Sequence, residues 1–309
     1  MKENINYLIC IVGATGVGKS ALAIELAKYF KTAVVSSDSR QIYREMDIGT
    51  NKILPSEMAN IPHYLLDIVN PNEDYDVAQF EKDALNLLEK LYKETNVVIL
   101  AGGTGFYIDA IIKGMNSLPI VSKEIRKLVQ DDLNIKGIEY LLSELKEKDF
   151  ICWEQIDRKN PRRITRAIEV LRSSALPFSS FKNKDSINRD FEVILIGLEL
   201  ETSLLNTKIN ERVIKMLKMG LINEVKALLS KGYDANLNAM QTIGYKETIA
   251  FLNNELTENE LITQIQNHTR QYAKRQRTWF KKDTSIKWFH PAEANLIIQH
   301  IESQIKTLR

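Results

Sequence analysis

The sequence has little of what marks secreted, metal-caged or membrane-bound proteins. Among 309 residues there are two cysteines, Cys10 and Cys152, far apart and without zinc or redox spacing. That excludes a disulfide framework and points to a reducing compartment. Of the four histidines, His63 and His290 have no partner at metal-ligand spacing, so both read as structural and no zinc site is expected. No run of about 20 apolar residues occurs, and no basic N-terminal region leads into a long apolar segment, so neither a membrane span nor a signal peptide is expected. The expected location is the cytoplasm. A formal net charge of +2 is too small to announce a nucleic-acid partner by itself, so any basic patch must be local. Internal repeats and low-complexity tracts are also missing.

What is present begins at the N-terminus. The apolar run Tyr7 to Val12 leads into Gly13-Ala14-Thr15-Gly16-Val17-Gly18-Lys19-Ser20, and Ala21 to Ala27 follows as a good helix former. Strand, glycine-rich turn and helix are the context of a phosphate-binding P-loop. The glycines let backbone N–H groups curl around an anion, and the helix N-terminus adds its positive end. Lys19 would reach the outer phosphates, and Ser20 would place its hydroxyl on Mg²⁺.

Further along, Thr32 to Ser37 reads as a second strand ending in the polar cluster Asp38-Ser39-Arg40-Gln41. Strand C-termini are where ligand chemistry gathers in α/β proteins, so Asp38 is the leading candidate base; the plainer reading is a carboxylate that caps a turn. Val97 to Ala101 is a fully apolar strand that ends in Gly102-Gly103-Thr104. An ATPase would place an Asp there to help hold Mg²⁺ and water. Small residues with a Thr hydroxyl favour diphosphate recognition instead. Strand and helix alternate as in a parallel sheet with helices on both faces.

From residue 119 to 189 strand-like runs vanish, and Phe191 to Leu198 then restores a buried strand. The expected architecture is a P-loop α/β core, 1–118 with 190–309, interrupted by an inserted all-helical domain, 119–189. Basic residues concentrate at Arg158–Arg166 and at Arg270–Lys282, the latter interleaved with Tyr272, Trp279 and Phe280. Cations among aromatics suit phosphate backbones and stacked bases, although a charge run on a helix is most often a solvated face. Lys208 and Arg212 lie four apart on an expected helix, so both can face one anion.

Several of these stretches together resemble the tRNA dimethylallyltransferase family. The P-loop, Asp38 to Tyr43, Met46-Asp47-Ile48-Gly49-Thr50 with Lys52, Pro62-His63, Gly102 to Tyr107, Pro161-Arg162-Arg163 with Arg166 to Val170, Ile243 to Glu247 and Ala273 to Phe280 fall in the family's order over nearly the whole chain. The resemblance implies prenyl transfer from dimethylallyl diphosphate to N6 of adenosine 37, beside the anticodon, in tRNAs that read codons beginning with U. It makes Asp38 the base. It places Thr15 through Ser20, Thr104 and Arg212 on the diphosphate. It puts Asp38, Ser39, Arg40, Gln41, Thr104, Arg126, Pro161, Arg162, Arg163, Ile164, Thr165, Lys274 and Arg275 against the anticodon stem-loop. Mg²⁺ is the implied cofactor, bound through Ser20, and a monomer the expected state. Ala14 departs from the family's usual Pro, and Lys208 stands where some members have Arg. Two alternatives stay open: prenylation of free adenine nucleotide, and a P-loop kinase or NTPase acting on RNA.

Overall fold

A computed structural model describes residues 5–115, 118–174, 176–181 and 188–307. The chain divides into two compact units, one formed by 1–113 with 188–309 and the other by 114–187.

The first unit is built on six parallel strands in the order β3-β2-β4-β1-β5-β6. In chain order these are β1 (Tyr7–Gly13), β2 (Val34–Ser36), β3 (His63–Tyr64), β4 (Val97–Ala101), β5 (Glu192–Leu198) and β6 (Lys287–Phe289). Every residue of β1 is buried, because β4 and β5 pair with it on either side and helices cover both faces. Alternation along β1 then sorts its side chains into two cores. Tyr7, Ile9 and Ile11 pack with Leu22, Ala23, Leu26 and Ala27 of α1 (Lys19–Phe30) and with Ile297 and Ile301 of the last helix. Leu8, Cys10 and Val12 pack with Phe80, Ala84 and Leu88 of α2 (Val77–Leu91) and with Tyr107, Ile108 and Ile111 of α3 (Gly105–Lys113). The two small alanines on α1 allow it to lie close against the sheet.

The second strand is shorter than its apolar run suggests, and the segment after Pro62 pairs for two residues only. Leu65 and Asp67 adopt left-handed backbone angles, φ 59° and 53°, which end the extended run. Beyond β5 come α8 (Thr202–Lys218), α9 (Leu221–Ser230), α10 (Tyr245–Leu252), α11 (Glu258–Phe280) and, after β6, α12 (Ala294–Thr307). Helices α8 to α11 close a third core around Ile42, Tyr43, Met46, Leu221, Val225 and Tyr245.

The second unit is helical: α4 (Lys123–Lys136), α5 (Ile138–Lys148), α6 (Phe150–Gln155) and α7 (Pro161–Ser174). Val129, Leu141, Leu145, Cys152, Ile164, Ala167 and Ile168 form its core. Asp149 is buried as the cap of α6, accepting from Cys152 N at 3.0 Å and from Ser179 N and Oγ at 2.8 and 2.7 Å. Arg172 joins α4 to α5 through Asp132 at 2.7 Å and Glu144 at 2.6 Å.

Candidate active site

Because β2, β4 and β1 are neighbours and parallel, their C-terminal ends bring three loops together: Ser37 to Gln41, Gly102 to Thr104, and the P-loop. At the last residue of β1 the chain turns at Gly13 with φ 140°, where a Cβ would lie 2.5 Å from the Leu198 carbonyl oxygen of β5. Gly16 and Gly18 also take positive φ, 87° and 113°, so the backbone curls before α1 begins at Lys19. A cavity of about 390 Å³ opens over this curl. Its wall includes Thr15, Gly16, Gly18, Lys19, Ser20, Asp38, Gln41 and Arg212, with Ile24, Ile53 and Ala101 as apolar members.

Two cations and one carboxylate dominate the electrostatics. Lys19 folds back so that Nζ donates to the carbonyls of Gly13 and Ala14, both at 2.9 Å. Burial lowers its pKa to about 8; Asp38 opposes the fall, and Arg212 adds to it. Arg212, on α8, donates from Nη1 to Thr15 Oγ1 at 2.9 Å. Burial likewise pulls its pKa below the ordinary arginine value, and Asp38 again opposes. An anion entering the cavity would relieve both cations at once. Asp38 is turn cap and cavity carboxylate together: Oδ1 accepts from Arg40 N at 2.9 Å, and Oδ2 has no protein partner among the described residues.

The glycines after β4 admit protein on both sides. A Cβ on Gly102 would meet Ser37 Oγ at 2.2 Å, and one on Gly103 would meet Gln276 Nε2 at 2.1 Å. Buried Gln276 bridges two loops of the site, donating to Gly103 O and accepting from Thr15 N, each at 2.8 Å. Composition and spacing did not single out this residue. The available signal was its place on the buried stripe of α11 with Ala273 and Phe280, where a polar group needs partners. Thr104 does not line the cavity. Its Oγ1 accepts from Ser39 N at 3.0 Å and donates to Ser39 Oγ at 3.2 Å, so it fixes the Asp38 loop. The neighbouring Tyr272 hydroxyl has its pKa pushed up to about 12, chiefly by burial, and remains protonated.

The other candidates fall outside the cavity. Val17 and Ala14 are both core residues, so neither offers its side chain to the cavity. Arg40 turns away and donates to Asn238 O at 2.8 Å. Lys208 is exposed and absent from the cavity wall, so only Arg212 of that helical pair faces the anion site. In the helical unit Arg126, Pro161, Arg162 and Arg163 are exposed and Thr165 is half-buried. Ile164 is fully buried among the helices, so its side chain cannot meet an external partner; the α-helical period turns it inward from the arginines beside it. Arg162, Arg163 and Arg166 instead line a second cavity, about 480 Å³, with Asn160 and Phe178. On α11, Lys274 and Arg275 are exposed and make no ion pair among the described residues.

The model for "IPP transferase" matches residues 41–283. The chain belongs to the IPP transferase family. Its relatives include the tRNA dimethylallyltransferase of Cytophaga hutchinsonii, 41% identical over 97% of this chain and 98% of that protein. The enzyme of the same name from Flavobacterium psychrophilum is 38% identical over 98% of this chain and all of that one. Among solved structures, the full-length tRNA isopentenylpyrophosphate transferase of Bacillus halodurans superposes with a TM-score of 0.73 at 33% identity, covering 98% of this chain and 97% of its own. A eukaryotic dimethylallyltransferase acting on tRNA gives 0.75 at 28% identity, covering 89% of this chain and 70% of that one. This IPP transferase-family chain thus carries its P-loop and Asp38 in one cavity across a fold its relatives share.

Proposed function

We propose that the chain transfers a dimethylallyl group from dimethylallyl diphosphate to N6 of adenosine 37 in tRNAs that read codons beginning with U, releasing diphosphate. The observation that carries this reading is the shared cavity, in which anion-binding groups (Lys19, Arg212 and the P-loop backbone) face a carboxylate whose second oxygen has no protein partner among the described residues. An adenine amine is a poor nucleophile, because its lone pair is delocalised into the ring. The allylic C1–O bond is easy to break, since the departing carbon centre shares its charge by resonance between C1 and C3. What the site must supply is stabilisation of the leaving diphosphate. Lys19 and Arg212 do so as fixed cations in a poorly solvated place. As the N6–C1 bond forms and the C1–O bond breaks, the N6 proton passes to Asp38. Ile24, Ile53 and Ala101 give the five-carbon group apolar surface.

The donor set fits Mg²⁺ shared with a diphosphate rather than caged by protein. Among the described residues no group of three or more His, Cys, Asp or Glu could hold a metal ion, whereas the Ser20 hydroxyl lines the cavity without a protein partner. Bound through Ser20, the ion would offset negative charge on the diphosphate oxygens.

Adenosine 37 reaches the cavity by leaving the anticodon-loop stack, at a cost of a few kcal/mol. Contacts to the stem-loop come from Ser39, Arg40 and Gln41, from Arg126, Pro161, Arg162, Arg163 and Thr165, and from Lys274 and Arg275. The enzyme works as a monomer in the cytoplasm; no described helix is long and apolar enough to cross a membrane. Incubation with labelled dimethylallyl diphosphate and either total tRNA or AMP, followed by nucleoside analysis, tests the reading. Label in N6-dimethylallyladenosine from tRNA is expected; label in AMP alone would move the acceptor to the free nucleotide.

A further inference from the structure

Part of the cavity wall that the P-loop does not supply comes from the loop after Met46, which contributes Thr50, Asn51 and Ile53. Residues 47–53 of this loop have no regular structure to hold them, yet they are tied down by side chains, and the densest tie is a single carboxylate. Glu224, in the first turn of α9, accepts from three consecutive backbone N–H groups: Oε2 from Asp47 at 3.0 Å and Ile48 at 2.8 Å, Oε1 from Gly49 at 3.1 Å. Tyr245, fully buried at the start of α10, donates its hydroxyl to the same Oε1 at 2.6 Å. Its ring lies flush against Gly49, where a Cβ would fall 2.3 Å from Cε2. The far end of the loop is secured by Lys52, whose ammonium bonds Tyr43 O, Asp47 Oδ1 and Asp67 Oδ1 at 2.5 to 2.8 Å. Gln41 completes the frame, donating to Thr50 O and Asn51 O at 3.3 and 3.2 Å.

A carboxylate accepting four hydrogen bonds is a strong and directional anchor, because ionised acceptors bind N–H groups more tightly than neutral ones. It lies outside the cavity wall, so it does not touch a substrate. We infer that Glu224 is a positioning residue: with Tyr245 it clamps residues 47–49 so that Thr50, Asn51 and Ile53 form a fixed wall against which the allyl group is oriented for attack. This inference rests on the proposed prenyl transfer for its chemical consequence, while the clamp itself is a property of the loop. Small misplacement at a reacting centre is costly, up to about a hundredfold for 1 Å.

The test compares the full-length wild type with Glu224→Gln and Tyr245→Phe. The amide variant replaces an acceptor by an N–H donor facing other donors; the phenylalanine removes one of the four bonds and leaves the three backbone ones. For Glu224→Gln we expect amide hydrogen exchange at residues 47–49 to quicken by about tenfold or more, and kcat/KM for dimethylallyl diphosphate to fall by a similar factor. Inorganic diphosphate, gripped by the P-loop side, should bind within about twofold of wild type. Tyr245→Phe should show the same pattern, weaker in both readouts. Unchanged exchange and unchanged kcat/KM in Glu224→Gln would overturn the inference. So would a kcat/KM loss matched by equal loss of diphosphate affinity, which is the signature of a loosened site rather than a moved wall. A wild type inactive on tRNA would defeat the proposed function instead, and the exchange measurement would still decide the clamp.

Discussion

Replacing Lys19 by Met should make the empty protein more stable while it destroys ligand binding. Burial holds the folded-state pKa at about 8, against 10.5 for an ordinary lysine. The unfolded chain therefore keeps its proton to a higher pH than the folded one, and stability rises as pH climbs from about 8 to 10.5. Below pH 8 the whole cost of holding a buried charge is present, about 3 kcal/mol at roughly 1.4 kcal/mol per pH unit. The two bonds from Nζ to the carbonyls of Gly13 and Ala14 return about 1 kcal/mol each. A net penalty of about 1–2 kcal/mol remains, which methionine, similar in length and uncharged, would remove. The assay is a pair of melting curves at pH 7, with and without inorganic diphosphate. The variant should melt about 2–6 °C above wild type without ligand. It should gain nothing from diphosphate, whereas wild type at a hundredfold excess over Kd gains about 2.7 kcal/mol. A Lys19→Met protein that melts below wild type at pH 7 would refute the reasoning, because the ammonium would then be a net structural contact.

Activity should carry the opposite pH trend. As Lys19 loses its proton above about pH 8, kcat/KM for dimethylallyl diphosphate should fall in the wild type; a rate still climbing to pH 9 would contradict this. Asp38→Asn removes the proton acceptor but keeps the bond to Arg40 N, so turnover should drop about 10²–10⁴-fold with tRNA affinity retained, as filter binding would check. Gln276→Ala strands Thr15 N and Gly103 O and should cost about 2 kcal/mol or more in denaturant unfolding. Chelating Mg²⁺ should abolish transfer and leave tRNA binding intact, measured in the same pair of assays.

Much of the fold was readable because its strongest signals are local. The Tyr7 to Val12 run, the glycine spacing and the Lys19-Ser20 pair fix a strand, a turn and a helix start within fourteen residues of chain. Asp38 was legible for the same reason, as the first acid beyond a buried strand. The backbone course after Pro62 was not legible: strand pairing stops at Tyr64, and Leu65 and Asp67 take left-handed angles that no periodicity reveals. Lys208 and Arg212 share a spacing but not an environment: the helix rolls only Arg212 into the cavity, an outcome set by packing against the P-loop. Gln276, which sits within the Ala273 to Phe280 stretch, and Glu224 have roles that were illegible for a deeper reason. Each reaches partners 173 to 261 positions away or 175 to 177 positions away. Such contacts follow from topology, and a lone polar residue on a helix carries no mark of them beyond its place on a buried or half-buried face.

The most direct measurement is calorimetric titration of the purified protein with dimethylallyl diphosphate and with ATP, each in Mg²⁺, for wild type and Lys19→Met. A cavity built to remove diphosphate from an allyl carbon should bind the isoprenoid the more tightly and lose that binding in the variant. Saturable ATP binding with no heat from dimethylallyl diphosphate would contradict it.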